Sequence, residues 1–202
     1  MYLILLFTYF LCAFGANINV QSLSQARQNI ASASLSTAGI GMFAGGYYYT
    51  GSVGSEVFTA YDKIDIYNVN TNSWTVLGLP FASYDIGSAS LDNKGIILFA
   101  GGNDSTNFYN NVQVYNAGDN LWSFLSVTQT RAGIAAAALP NQGKILLVGG
   151  YNGANYYNII DVYDSATGQI ATSPKTLSLA RSECSVAVSQ NLAFFAGGIT
   201  VA

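Results

Sequence analysis

Pairs of adjacent glycines recur along this chain, and that recurrence limits what it can fold into more than any other feature. Gly45-Gly46, Gly101-Gly102, Gly149-Gly150 and Gly197-Gly198 each close an apolar run: 40–44, 96–100, 145–148 and 192–196. The last three pairs stand 48 residues apart, while the first gap is 56. Tyr67, Tyr115 and Tyr163 keep the 48-residue step, each ending an alternating segment. Seven residues further on stand Trp74, Trp122 and, in the third copy, Ile170. Turn formers separate them, Asn70-Thr71-Asn72, Gly118-Asp119-Asn120 and Ala166-Thr167-Gly168. Arg27 and Arg131 precede their glycine pairs by 18 residues and Arg181 by 16, with Ser83 in the slot of the second copy. A chain repeating at this period builds its core by stacking copies of one small unit, none of which can bury its apolar face alone.

Each copy reads as four strands. The first is rich in small residues: 29–35, 86–91, 133–139 and 184–188. The second is the apolar run into Gly-Gly, the third ends at Tyr, and the fourth carries Trp. Small side chains on the first strand fit strands that converge on a central axis, where crowding excludes bulk. No segment after residue 16 shows apolar residues at helical spacing, so an all-β fold follows, and four strands per unit at this period predict a propeller.

At these landmarks the chain resembles the kelch family: Gly-Gly after the second strand, Tyr at the end of the third, Trp in the fourth, in order and in register over about residues 26–198. The resemblance implies a kelch-type β-propeller, here a partial one. Its units cover about 25–79, 80–128, 129–178 and an incomplete 179–202. Ser83, Ile170 and eight extra residues between Gly46 and Tyr67 are local departures from the pattern. Residues 17–20 align with 121–124, so the segment after residue 16 is expected to open with an outer, fourth strand. Propellers typically have about four to eight blades, and further blades are expected downstream.

Residues 1–16 are almost wholly apolar and carry no charged side chain. They are too short for a membrane span, which needs about 20 apolar residues, and suit a secretory signal peptide cleaved near Gly15 or Ala16. Export is therefore expected, with no membrane insertion of the mature segment. Beyond Cys12 only Cys184 remains, so no internal disulfide can form in the mature chain; its place in an apolar strand pattern predicts a buried thiol.

Charge and composition exclude several functions. Seven Lys and Arg residues, scattered singly under a net charge of -3, cannot track a nucleic-acid backbone. The absence of histidine removes imidazole metal ligands and Ser-His-Asp or Cys-His catalysis, and no cofactor motif is present. The strands alternate in direction, so the loops after the second and fourth strands share one rim. That rim is the expected contact surface for a protein or carbohydrate ligand, through Arg27, Tyr48, Asn107, Tyr109, Arg131, Tyr151, Asn155, Tyr157 and Arg181. Asn103-Asp104-Ser105 makes Asn103 a glycosylation candidate on the same rim. The expected function is an extracellular interaction scaffold. The alternative is the N-terminal part of a secreted kelch-propeller oxidase or sugar isomerase, its catalytic residues outside this chain. Tyr and Asn also build loops and turns without any ligand, and the repeating Gly, Tyr and Trp serve the repeat itself. Asp65 and Asp161, at one position of the third strand, are expected to be structural too.

Overall fold

Alternating apolar residues separated by Asn, Asp and Gly turns produce strands throughout. A computed structural model describes residues 9–14, 17–52 and 55–200. The first unit holds β3 (Ala31–Leu35), β4 (Ile40–Ala44), β5 (Tyr47–Thr50), β6 (Val57–Ala60), β7 (Lys63–Asn68) and β8 (Ser73–Gly78), after a leading pair, β1 (Tyr9–Phe14) and β2 (Asn17–Ser22). The second holds β9 (Gly87–Leu91), β10 (Ile96–Ala100), β11 (Asn111–Asn116) and β12 (Leu121–Ser126). The third holds β13 (Ala135–Leu139), β14 (Lys144–Val148), β15 (Ile160–Asp164) and β16 (Gln169–Thr172), and β17 (Ser185–Ser189) and β18 (Leu192–Ala196) follow. Three four-stranded antiparallel sheets result, β3-β4-β7-β8, β9-β10-β11-β12 and β13-β14-β15-β16, with β17-β18 as a two-stranded sheet in the next position. The only helical elements among the described residues are single 3-10 turns, Asp92–Lys94 and Pro140–Gln142.

The sheets stack face to face through their small first strands, β9 lying beside β3 and β13, and β13 beside β17. One core lies between the first two sheets and joins Leu35, Met42 and Ile64 to Ile97, Phe99 and Tyr115. A second lies between the next two and joins Leu98, Val112 and Val114 to Ile145, Leu147 and Tyr163. The seven-residue Tyr-to-Trp spacing is a cross-strand pair: Tyr67 faces Trp74, Tyr115 faces Trp122, and Tyr163 faces Ile170. The two Tyr–Trp ring pairs sit 5.0 and 5.2 Å apart. Both tyrosine hydroxyls reach back to the turn, Tyr67 donating to Asn72 at 2.6 Å and Tyr115 to Asn120 at 3.0 Å.

Four expectations are corrected by these details. The first strands begin one or two residues later than their apolar pattern, each two residues after a residue of positive φ that cannot continue a strand, Asn29, Asp85, Gly133 and Glu183. The eight extra residues of the first unit are not an open loop, since β5 and β6 pair as a hairpin in register from Tyr47–Ala60 to Thr50–Val57. The segment 17–22 pairs with β1 in its own two-stranded sheet rather than joining a four-stranded one. Cys184 is only half-buried, its thiol donating to the Gly197 carbonyl at 3.8 Å, because among the described residues no further sheet covers the outer face of β17-β18. Of the expected signal peptide, residues 1–8, 15 and 16 lie outside the described residues.

Candidate functional site

The glycine pairs create the rim. In each unit the first glycine NH closes the sheet onto the third strand, Gly45 to Lys63 at 2.9 Å, Gly101 to Asn111 at 2.9 Å and Gly149 to Ile159 at 3.0 Å. The second glycine NH crosses to the next unit, Gly46 to Ser83 at 2.9 Å, Gly102 to Arg131 at 3.1 Å and Gly150 to Arg181 at 2.9 Å. All these glycines have positive φ, and a Cβ on Gly45, Gly101 or Gly149 would stand 2.2–2.3 Å from the next unit's carbonyl. Any other residue there would separate neighbouring units. The loop after each second strand then meets the entry of the first strand, through the bridges Gln28–Tyr47, Tyr84–Asn103, Ala132–Tyr151 and Ser182–Ile199.

Arg27 and Arg131 do not reach the rim surface. Their guanidinium groups are fully buried and paired with Asp65 at 2.5 Å and Asp161 at 2.9 Å. Arg27 also donates to the carbonyls of Gly45 at 2.6 Å and Phe43 at 3.2 Å, which ties it to its own glycine pair 18 residues on. Burial pushes the Arg131 guanidinium down from its ordinary range, and Asp161 beside it pushes back. Asp161 accepts as well from the Thr172 hydroxyl at 2.6 Å, and from Thr128. Arg181 is half-buried and donates to Gly197 at 2.7 Å. In the second unit both partners change together: Ser83 replaces Arg and Gln113 replaces Asp, each 2% exposed. Asn103 is 6% exposed and its amide donates to Asp85 at 3.1 Å, so the folded chain does not present it for glycosylation.

The remaining rim residues lie on the loops after the second strands of their own units. Tyr48 is exposed on the β5–β6 hairpin, and Asn107 and Asn155 are exposed on the corresponding loops of the next two units. Asp104 organises the second-unit loop, accepting from the Asn107 NH at 2.6 Å, the Thr106 NH at 2.9 Å and the Tyr109 hydroxyl at 2.6 Å. Those donors, the Tyr109 hydroxyl first, hold its carboxyl well below the usual carboxylate range. Burial and the Asp104 contact push the Tyr109 hydroxyl up to about 12. Asn152 does the same work in the third unit, accepting from the Asn155 NH at 2.8 Å and donating to the Tyr157 hydroxyl at 2.7 Å. Aromatic rings line the rim between these loops. Phe81 stacks on Tyr109 at 4.7 Å, Tyr47 meets Tyr84 at 4.7 Å, and Tyr151 packs on Tyr156 at 4.6 Å and edge-on to Phe108 at 5.8 Å. Asp104, Asp85, Phe108 and Glu183 were not anticipated. For Asp85 and Glu183 the available signal was position, two residues after the Arg slot, but a single carboxylate in a turn reads as a turn former.

No group of three or more Cys, Asp or Glu side chains among the described residues could hold a metal ion. No helix among them is long and apolar enough to cross a membrane. Four-stranded antiparallel sheets that repeat their landmark residues and stack face to face through small inner strands define a β-propeller type of repeat protein. The Kelch motif family model matches residues 132–169, from the entry of β13 to the start of β16. Residues 132–169 thus carry a kelch motif, which supports a kelch-repeat reading of the repeated units. No curated protein matches it.

Proposed function

We propose that the chain is an extracellular interaction scaffold whose loop rim holds a protein partner. Kelch repeats generally mediate protein interaction. The observation that carries this reading is the contrast between the two sets of polar rim residues. The buried arginines are consumed by the fold, whereas Tyr48, Asn107 and Asn155 are exposed on loops already ordered by Asp104 and Asn152. Preordered loops lose little conformational entropy on binding, which favours recognition over mere solvation. A carbohydrate is the second ligand chemistry that exposed aromatic and amide groups accommodate.

The apolar residues 1–16 are what supports an exported, extracellular setting. N-terminal sequencing of secreted protein is expected to begin near Ala16 or Asn17; an intact Met1 on a soluble intracellular product overturns it. For the rim, a photo-crosslinking residue at Tyr48 or Asn155 is expected to capture a protein from producing cells, while one at Ser123 on the outer strand β12 captures none. Crosslinks from Ser123 alone contradict the rim assignment, and a captured glycan without protein selects the carbohydrate chemistry.

A further inference from the structure

A cavity of about 270 Å³ opens on the rim where the second, third and fourth units meet. That volume lies below the roughly 300–1,000 Å³ of small-molecule sites and suits the head of one side chain. Phe108, Tyr151 and Tyr156 wall it, and Asp85 and Glu183 flank it on either side of Gly133. The backbone ties together the residues that carry those carboxylates, since Gly133 NH donates to the Asp85 carbonyl at 2.9 Å and Glu183 NH to the Gly133 carbonyl at 2.8 Å.

The charge of this cavity is uncompensated. Neither Asp85 nor Glu183 makes an ion pair among the described residues. Arg131, next in sequence to the cavity floor at Ala132, is committed to Asp161, and Arg181 is directed to the carbonyl of Gly197. Asp85 receives only neutral amide donors, from Asn29 and Asn103. Two carboxylates beside three aromatic faces form the environment that attracts a cation, by direct charge and through the ring quadrupoles.

We propose that this cavity binds a basic side chain, arginine or lysine, presented by the protein partner of the rim. The proposal rests on the interaction reading above and names the chemistry that the partner brings. A neutral sugar donates hydroxyls to carboxylates but leaves their charge uncompensated, whereas a basic side chain neutralises it.

Selection of peptides from a random display library against the whole chain tests the proposal, with Glu183→Gln as the paired target. Glu183 is exposed, and glutamine keeps its shape, so the variant retains the fold. The expected result is enrichment of peptides with a basic residue, whose affinity falls about tenfold or more on Glu183→Gln and equally when arginine is exchanged for neutral citrulline. Peptides that crosslink to the rim yet bind both targets equally, and tolerate citrulline, overturn the basic-side-chain assignment and leave the interaction reading standing. Oligosaccharide binding in the cavity that is indifferent to Glu183→Gln also overturns it. Absence of any rim-bound peptide or crosslinked protein overturns both.

Discussion

Arg27–Asp65 and Arg131–Asp161 are buried ion pairs, and the Ser83–Gln113 position shows what replaces them. Removing one partner of such a pair leaves an unpaired buried charge, while changing both to neutral groups costs far less. The chain carries both solutions at one position of its repeat, since Asp65, Gln113 and Asp161 stand at equal 48-residue steps. Asp161→Asn is therefore expected to lower stability by about 3 kcal/mol or more, measured by denaturant unfolding. Gln113→Asp alone is expected to be costly for the same reason, and adding Ser83→Arg to recover most of the loss. Strictly additive effects of the two substitutions would contradict the pairing. The structural role of the aspartates was legible in the sequence because they repeat. The arginines' role was not, because a regularly spaced cation before a loop reads the same whether its head turns outward to a ligand or inward to a carboxylate. Only the third strand's position beside the glycine pair decides it.

At the scale of elements, the strands were legible from alternation and the units from spacing. The β5–β6 hairpin was not, because an insertion within one copy has no second copy to confirm it. The rim loops of the second and third units carry different groups at the organising position, Asp104 against Asn152, and that difference sets their pH response. Asp104 has a lowered folded value, so its contribution is complete above its ordinary value of 3.8 and is lost as pH falls through the depressed one. Tyr109 has a raised value, so its contribution is complete below the ordinary 10.0 and is lost as pH rises through about 12. Amide exchange at Thr106 and Asn107 is expected to accelerate beyond its intrinsic pH dependence at both extremes, while Asn155, held by uncharged Asn152, does not follow. Parallel behaviour of the two loops would remove Asp104 as the organiser. The glycine pairs offer a second comparison. Gly149→Ala places a Cβ 2.3 Å from the Arg181 carbonyl at φ +67, whereas Gly197→Ala at φ +69 meets nothing within 4 Å. The second is expected to cost only the left-handed backbone term, about 1–2 kcal/mol, and the first clearly more.

Across the whole molecule, burial follows how many neighbours a sheet has. β10 has a sheet on both faces and is buried at every position, while β18, the equivalent strand of the last unit, alternates between exposed and half-buried. Leu98 is fully buried, and Phe194, at its position two repeats on, is 55% exposed. Leu192 extends the same face at 64% exposure, while Val186 and Val188, opposite Phe195 and Ala193 on the other face, are 37% and 42% exposed. β18 also presents an unpaired edge, since its sheet has two strands where the others have four. Open apolar faces and free strand edges favour association with another chain. The units already stack head to tail, each offering a glycine NH to the next, so the same kind of contact is available between molecules. Sedimentation velocity of the isolated chain is therefore expected to show concentration-dependent self-association. Phe194→Lys, which places a charge on that face without touching the cores between the first three sheets, is expected to reduce it substantially. A chain that sediments as a monomer at all concentrations, with Phe194→Lys indistinguishable from it, would mean that the exposed face is not adhesive.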